Sequence, residues 1–154
     1  MYGAYIRAAC LRHGLDPEVF ASLIMQESSG NPLSFRYEPA FYRRYIHDKG
    51  LAGFVPNPLR IPDRLERDLR STSFGLCQIM GQVAREQGFR NEWLPTLCDP
   101  QINIDLGAKI LASFIKAKGS ERAGLLRYNG GGDPNYPDKI YTRKQRGEYK
   151  FVLY

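Results

Sequence analysis

The sequence predicts a mainly α-helical domain, and three observations support this fold class. Several segments repeat apolar residues at the spacing of one helical face. Two Asp-Pro pairs, Asp16-Pro17 and Asp99-Pro100, combine a helix-capping side chain with a proline suited to the first turn. Strand signals are weak throughout. The 154 residues fit one domain that buries its own core.

The first segment of the chain predicts two consecutive helices. The first is indicated by apolar residues at helical spacing, namely Tyr2, Ile6, Ala9 and Cys10. It ends near Gly14, and Asp16-Pro17 opens the second helix. The apolar face of that second helix is formed by Phe20, Leu23 and Ile24. Glu27 continues this face, and the residues that follow it, Ser28 to Pro32, end the helix.

The middle of the chain, residues 34–72, is irregular and rich in proline. Short helical patterns cover Phe41 to Ile46 and Asp63 to Arg70 within it. A third strong helix is predicted from Gly75 to Gln87, with Gly88 as its C-cap.

The second half predicts the central element of the fold. Asp99-Pro100 opens the longest helix, Pro100 to Lys118, whose apolar residues cover so much of its circumference that we expect it to be buried. Ser120 caps a helix through Tyr128, and Pro137 to Lys144 forms the last one. We expect one domain over residues 1–146, with Glu148 to Tyr154 as a short strand or a C-terminal tail (147–154).

Composition excludes several classes of protein. The net charge of +6 and a pI near 9.3 favour polyanionic partners in general. The basic residues are scattered and form no nucleic-acid motif, so we expect no nucleic-acid partner. No apolar run is long enough for a transmembrane segment, and Arg7, Arg12 and His13 stand where a signal peptide would need its apolar stretch.

The cysteines and histidines point to no metal centre. Cys10, Cys77 and Cys98 lack the spacing of a zinc knuckle or a redox pair, which favours buried free thiols and leaves one disulfide open. His13 and His47 have no Cys or His neighbours at ligand spacing. We therefore predict no metal site and no cofactor.

Glu27 is the candidate for acid chemistry. A carboxyl group held against an apolar helix face has a raised pKa and can stay protonated near neutral pH, as a general acid requires. The alternative is a helix-terminal glutamate that faces water or forms a salt bridge. The turn that begins at Ser28 favours the acid, because it leaves Glu27 at the edge of the helix.

Three polar, glycine-containing segments occur in an informative order. They are Glu27-Ser28-Ser29-Gly30-Asn31-Pro32, Ser73-Phe74-Gly75-Leu76-Cys77-Gln78-Ile79-Met80 and Tyr128-Asn129-Gly130-Gly131-Gly132. Together with Asp99-Pro100-x-x-Asn103-Ile104 and the later Tyr136, they resemble the soluble lytic transglycosylase (SLT) family of the lysozyme-like superfamily, related to goose-type lysozymes. The resemblance covers about Leu15 to Tyr141. Cys77 and Arg127 depart from it, since the family usually has Met and Ala there.

The resemblance implies a lysozyme-like fold with a sugar-binding cleft, and a chain that works as a monomer on peptidoglycan glycan strands. It also implies cleavage of the β-1,4 bond between MurNAc and GlcNAc, with Glu27 as general acid and then base. The substrate's N-acetyl group stabilises the intermediate, and the product carries a 1,6-anhydro end. Such an enzyme acts on the cell wall, in the periplasm, outside the cell, or after delivery by a phage or secretion apparatus.

Polar side chains near these segments are candidate substrate-binding groups: Ser28, Ser73, Gln78, Tyr128, Asn129 and Glu38. Tyr128 is a candidate to hold the acid or the intermediate in place. The alternatives are helix capping by Gln78 and Asn129 and a core position for Tyr128. We interpret residues 34–72 as a lobe near the cleft, resembling phage-type cell-wall enzymes, or else as a structural insertion.

Two alternative functions stay open. Goose-type hydrolysis requires a second carboxylate to activate water, and the candidates are Glu38, Asp48, Asp63 and Asp68. A non-catalytic peptidoglycan-binding module would keep the cleft without turnover, although the presence of Glu27 favours an enzyme.

Overall fold

The structure is a computed structural model that describes residues 1–47, 61–90 and 93–154. Within these ranges it is mainly helical, as predicted, with a small sheet. In chain order the elements are α1 (Gly3–His13), α2 (Pro17–Ser28), β1 (Phe35–Tyr37), α3 (Pro39–Phe41), a π-helix (Tyr42–His47), α4 (Asp63–Arg70), β2 (Thr72–Phe74), β3 (Ile79–Met80), α5 (Gly81–Glu86), a 3-10 helix (Leu94–Cys98), α6 (Pro100–Lys118), α7 (Glu121–Tyr128), α8 (Tyr136–Gln145) and α9 (Lys150–Leu153).

The predicted helix starts are confirmed by their capping contacts. The side chain of Asp16 accepts hydrogen bonds from the amides of the first turn of α2, and Asp99 does the same for α6. Ser120 caps α7 in the same way. Helix α1 ends at Gly14 in the left-handed conformation, as its sequence predicts.

The core is built around α6 and α2. Helix α6 packs against α1 and α7, while α2 packs against α8 and α1. The fully buried residues of these two helices include Phe20, Leu23, Ile24, Ile104 and Ala108. Because α2 is held by a continuous buried face, its last turn is fixed relative to the rest of the domain.

The predicted helix from Gly75 to Gln87 is wrong over its first half. Residues 75–78 form a turn between β2 and β3, and α5 covers only Gly81–Glu86. Gly75 and Gln78 both have positive φ, 71° and 46°, which is incompatible with a right-handed helix. The three strands form an antiparallel sheet in the order β1-β2-β3. Strands of two or three residues are too short for alternation to be visible in the sequence.

The end of the chain is a helix, α9, rather than a strand or a free tail. Val152 and Leu153 are buried, and the backbone oxygen of Val152 accepts a hydrogen bond of 2.8 Å from the amide of Tyr2. Arg7 donates a further bond to the Leu153 carbonyl at 3.1 Å. Tyr149, Val152 and Leu153 also follow helical spacing, which explains why alternation misled the sequence-based interpretation.

The three cysteines are free thiols, with Cys10 and Cys77 buried and Cys98 half-buried. Cys77 packs directly on α6, where a Cβ added to Gly107 would lie 2.7 Å from its Sγ. Burial raises the pKa of the Cys77 thiol well above its ordinary value. Cys77 is therefore the residue of the turn at 75–78 that packs into the core.

A buried ion network joins α4 to α5. Glu66, Arg70 and Arg85 have fully buried side chains. Glu66 Oε1 accepts from Arg70 Nε at 2.7 Å and from Arg85 Nε at 2.9 Å. Arg85 also donates to the Phe89 carbonyl at 2.6 Å. The two buried guanidinium groups are tolerated away from water because both donate hydrogen bonds to the Glu66 carboxylate.

Replacing Glu66 with Ala should destabilise the domain strongly, because two guanidinium groups would stay buried without their shared carboxylate. We expect a loss of about 3–5 kcal/mol in the free energy of unfolding, measured by urea denaturation. The matched control is Asp63→Ala, at an exposed position in the first turn of the same helix, which should cost less than about 1 kcal/mol. Equal losses in the two variants would contradict a special role for the network.

Candidate active site

Glu27 lies in the last turn of α2, on the wall of a cleft of about 620 Å³. The residue is half-buried, and the three turns before it are anchored by the buried face of α2. Other lining residues come from β1, the π-helix, the β2–β3 region and helices α5, α6 and α7. The carboxyl group is therefore held at a defined position and reached from the cleft.

Tyr136, rather than Tyr128, contacts the carboxyl group of Glu27. Tyr136 is the first residue of α8 and is buried, and its hydroxyl donates a hydrogen bond to Glu27 Oε1. The Tyr128 hydroxyl donates instead to the Cys77 carbonyl at 2.8 Å. Sequence reasoning used Tyr136 only as part of the family resemblance. Its role depends on packing between α2 and α8, which no local pattern reveals.

The environment of Glu27 favours its protonated form. Burial raises the pKa of Glu27 above its ordinary value, and this effect exceeds the lowering caused by the Tyr136 hydrogen bond and by the charge of Arg36. The same burial raises the pKa of Tyr136 far above that of a free tyrosine. The tyrosine therefore stays a neutral donor.

The turn at residues 75–78 is held next to Glu27 by the side chain of Asn103. This asparagine is fully buried in the first turn of α6. Its Nδ2 donates to the carbonyls of Phe74 at 3.0 Å and Leu97 at 2.7 Å. Its Oδ1 accepts from the Cys77 amide at 2.7 Å. One amide side chain thus satisfies three buried backbone groups from two separate segments.

Gly75 is required for this close approach. A Cβ at this position would lie 2.4 Å from Asn103 Nδ2 and 2.5 Å from the Leu97 oxygen. The backbone is also left-handed there, with φ of 71°, a conformation that costs glycine little. Any other residue at position 75 would displace Asn103 or the turn.

Gln78 closes the turn from the side of the cleft. Its Nε2 donates to the Ser34 carbonyl at 3.1 Å and the Gly75 carbonyl at 2.9 Å. The amide nitrogen is therefore occupied by the backbone. In the described part of the chain no donor reaches Gln78 Oε1, so this oxygen is the group that the side chain offers to the cleft.

The remaining predicted binding residues occupy different places. Ser73 lies on β2 opposite Arg36 of β1 and Met80 of β3, and all three line the cleft from one face of the sheet. Asn129 also lines the cleft, and its Oδ1 accepts from the Asp133 amide. The Ser28 hydroxyl bonds to the Ile24 carbonyl at the end of α2, and Ser28 is not among the described residues that line the cleft.

The candidate second carboxylates differ in whether they line the cleft. Glu38 lines the cleft and accepts a hydrogen bond of 2.6 Å from Arg36 Nε. Asp63 and Asp68 do not belong to the described lining, and Asp48 lies outside the described residues. Glu86 of α5 lines the cleft as well, and its Oε1 accepts from Gln82. Sequence reasoning missed Glu86 because helix α5 offered no signal of which face meets the cleft.

Aromatic side chains complete the lining. Phe41 and Tyr45 pack with ring centroids 4.9 Å apart, and Phe114 meets Tyr128 edge-on at 6.4 Å. All four line the cleft. Two of them belong to residues 34–72, so this segment borders the cleft. Such apolar surfaces with a few polar groups are typical of a binding site for an organic ligand.

The mainly α fold and its open cleft define the protein as a member of the lysozyme-like class. A family model described as the transglycosylase SLT domain matches residues 4–151, and the chain therefore belongs to this family. No curated protein and no solved structure matches it. The family indicates an enzyme that cleaves glycosidic bonds in peptidoglycan and acts on the cell wall. In the described ranges no helix is long and apolar enough to cross a membrane.

The raised pKa of Glu27 predicts a specific dependence of stability on pH. The protonated form favours the folded state, so its contribution is fully present below the ordinary glutamate pKa and is lost as pH rises through the folded pKa. Glu27→Gln cannot titrate. The stability of the wild type should therefore fall relative to this variant as pH rises from the ordinary glutamate pKa through the raised pKa of the folded protein, measured by urea unfolding. A difference that changes in the opposite direction would mean a depressed pKa.

Asn103→Ala should weaken both the fold and the site, because three buried backbone groups would lose their partner. We expect a loss of about 3–5 kcal/mol in the free energy of unfolding. The matched control is Gln101→Ala in the same turn of α6, where the side chain is exposed. An Asn103→Ala variant as stable as this control would show that the turn at residues 75–78 is held by other contacts.

Proposed function

We propose that the protein is a lytic transglycosylase that cleaves the β-1,4 bond between MurNAc and GlcNAc in peptidoglycan. The observation that carries this proposal is the half-buried carboxyl group of Glu27, with its raised pKa, on the wall of a cleft in a chain of the SLT family. The aromatic and amide groups around it suit a sugar polymer.

Glu27 acts first as a general acid. Its proton passes to the glycosidic oxygen as that bond breaks, while positive charge develops on the sugar ring. The substrate's N-acetyl group stabilises this charge. Glu27, now ionised, accepts the proton of the C6 hydroxyl, whose oxygen closes the 1,6-anhydro ring. The hydrogen bond from Tyr136 to Oε1 and the charge of Arg36 favour the ionised form at this stage.

The positions of the other carboxylates favour transglycosylation over hydrolysis. Hydrolysis needs a second carboxylate free to activate a water molecule. Glu38 is engaged by Arg36, and Glu86 accepts a hydrogen bond from Gln82. Hydrolysis by Glu38 or Glu86 is the second candidate function, because both line the same cleft.

Four of the predicted binding residues line the cleft and keep a substrate-binding role in this proposal. Gln78 Oε1, Ser73, Tyr128 and Asn129 provide polar groups for the acetamido and hydroxyl substituents of the sugars. We also propose that the enzyme works as a monomer and that it reaches the wall in the periplasm, from outside the cell, or through a phage or secretion apparatus.

Glu27→Gln should abolish cleavage of purified peptidoglycan, because the amide keeps the shape of the side chain but has no acidic proton. We expect a loss of about 10²- to 10⁴-fold or more in turnover, measured by release of soluble glycan. Glu18→Gln, in the first turn of the same helix, should stay close to the wild type.

Mass spectrometry of the products separates the two candidate reactions. Transglycosylation yields 1,6-anhydro ends, whereas hydrolysis yields reducing ends. Reducing ends, together with a collapse of activity in Glu38→Gln or Glu86→Gln, would overturn the transglycosylase proposal in favour of hydrolysis. Near wild-type activity in Glu27→Gln would remove Glu27 as the acid.

A further inference from the structure

Arg127 is a cation of the cleft that the proposed chemistry does not use. It lies in the last turn of α7, immediately before Tyr128, and its side chain is exposed and lines the cleft that contains Glu27. Its guanidinium carbon lies 5.4 Å from the centroid of the Phe114 ring. The SLT family usually has alanine at this position, so the charge is a feature of this chain.

The two arginines of the cleft differ in their partners. Arg36 is bound to Glu38 through a hydrogen bond of 2.6 Å. Arg127 forms no ion pair and donates no side-chain hydrogen bond within the described ranges, and its contact there is the face of Phe114. This cation–π contact with the ring uses none of the five N–H donors of the guanidinium.

The space next to Arg127 is open. The glycines Gly130, Gly131 and Gly132 follow on the same segment, and a Cβ added to any of them would meet no atom within 4 Å. Because the Arg127 side chain is itself exposed on the cleft wall, a substituent of a bound strand can approach its guanidinium. The described carboxylates of the cleft belong to Glu27, Glu38 and Glu86, and none of them is paired with Arg127.

We propose that Arg127 binds a carboxylate carried by the glycan strand, so that the cleft selects acidic strands over neutral ones. This inference rests on the proposed function, since it concerns the same cleft. A guanidinium fork recognises a carboxylate through two parallel hydrogen bonds, and the contact with Phe114 leaves the donors of Arg127 available for them. In peptidoglycan this group is either a carboxylate of the stem peptide or, where the peptide has been removed, the free lactyl carboxylate of MurNAc.

Three substrates distinguish these sources: strands with stem peptides, peptide-free strands with free lactyl carboxylates, and peptide-free strands whose lactyl carboxylates have been converted to amides. Binding is measured by calorimetry on the Glu27→Gln protein, so that affinity is separated from cleavage. Arg127→Met is added to this protein, because methionine still covers Phe114 but carries no charge. Arg127→Lys keeps the charge without the planar fork.

The matched control is Arg122→Met in the same background. Arg122 is an exposed arginine of the same helix, lies outside the described lining of the cleft, and is paired with Asp138 through hydrogen bonds of 2.6 Å and 2.8 Å. Its replacement should leave the affinity for all three strands unchanged.

We expect Arg127→Met to weaken binding of at least one carboxylate-bearing strand about tenfold, to leave binding of the amidated strand unchanged, and to reduce the salt dependence of binding. Arg127→Lys should be intermediate. The strand that loses affinity identifies the source of the carboxylate. An equal loss on all three strands, or no loss on either acidic strand, would overturn the inference.

Failure of the proposed function gives a different result. The cleavage products of the wild type are analysed in parallel with the binding measurements. If acidic strands bind through Arg127 but no anhydro ends appear, the inference stands and the transglycosylase proposal fails. If anhydro ends appear and Arg127→Met binds all strands as tightly as its parent, the transglycosylase proposal stands and the inference about Arg127 fails.

Discussion

The buried side chain of Asn103 is the contact on which the site depends. It joins the best-packed helix of the domain, α6, to the turn at residues 75–78 and to the Leu97 carbonyl. The turn has little regular structure of its own, and a Cβ at Gly75 would clash with both Asn103 and the Leu97 oxygen. The bonds from Gln78 Nε2 to the Ser34 and Gly75 carbonyls and from the Tyr128 hydroxyl to the Cys77 carbonyl then complete the position of the turn. The buried helix α6 therefore helps to fix the position of the residues that line the cleft.

The electrostatics of Glu27 follow from the same packing. Burial of α2 places its last turn where solvent is limited, and the approach of α8 brings the Tyr136 hydroxyl onto the carboxylate. These two effects have opposite signs: burial favours the protonated acid, whereas the hydrogen bond favours the ionised base. Burial is the larger of the two effects, so the protonated form of Glu27 is favoured, and the hydrogen bond from Tyr136 reduces this preference.

Charged and polar side chains support the cleft wall from the core and also line its open side. Gln82 of α5 connects the buried ion network to the cleft. Its Oε1 lies 3.5 Å from Arg70 Nη1 in the network, and its Nε2 donates to Glu86 in the cleft. The buried network around Glu66 therefore contacts the side of α5 that faces away from the cleft. On the open side, Arg36 is hydrogen-bonded to Glu38, whereas Arg127 has no carboxylate partner among the described residues and lies over Phe114. The net charge of +6 alone revealed none of these assignments.

Strong local signals predicted helices α1, α2, α6, α7 and α8, because capping and amphipathicity act over a few residues. The signals were the Asp-Pro and Ser caps, the Gly14 stop and the apolar stripes. The sequence also identified Glu27 by its place on an apolar face. Three features could be found only in the folded chain: the contact between Tyr136 and Glu27, the turn at residues 75–78 and the helix at Lys150–Leu153. Those features depend on contacts between distant segments, whose free energy no local pattern records.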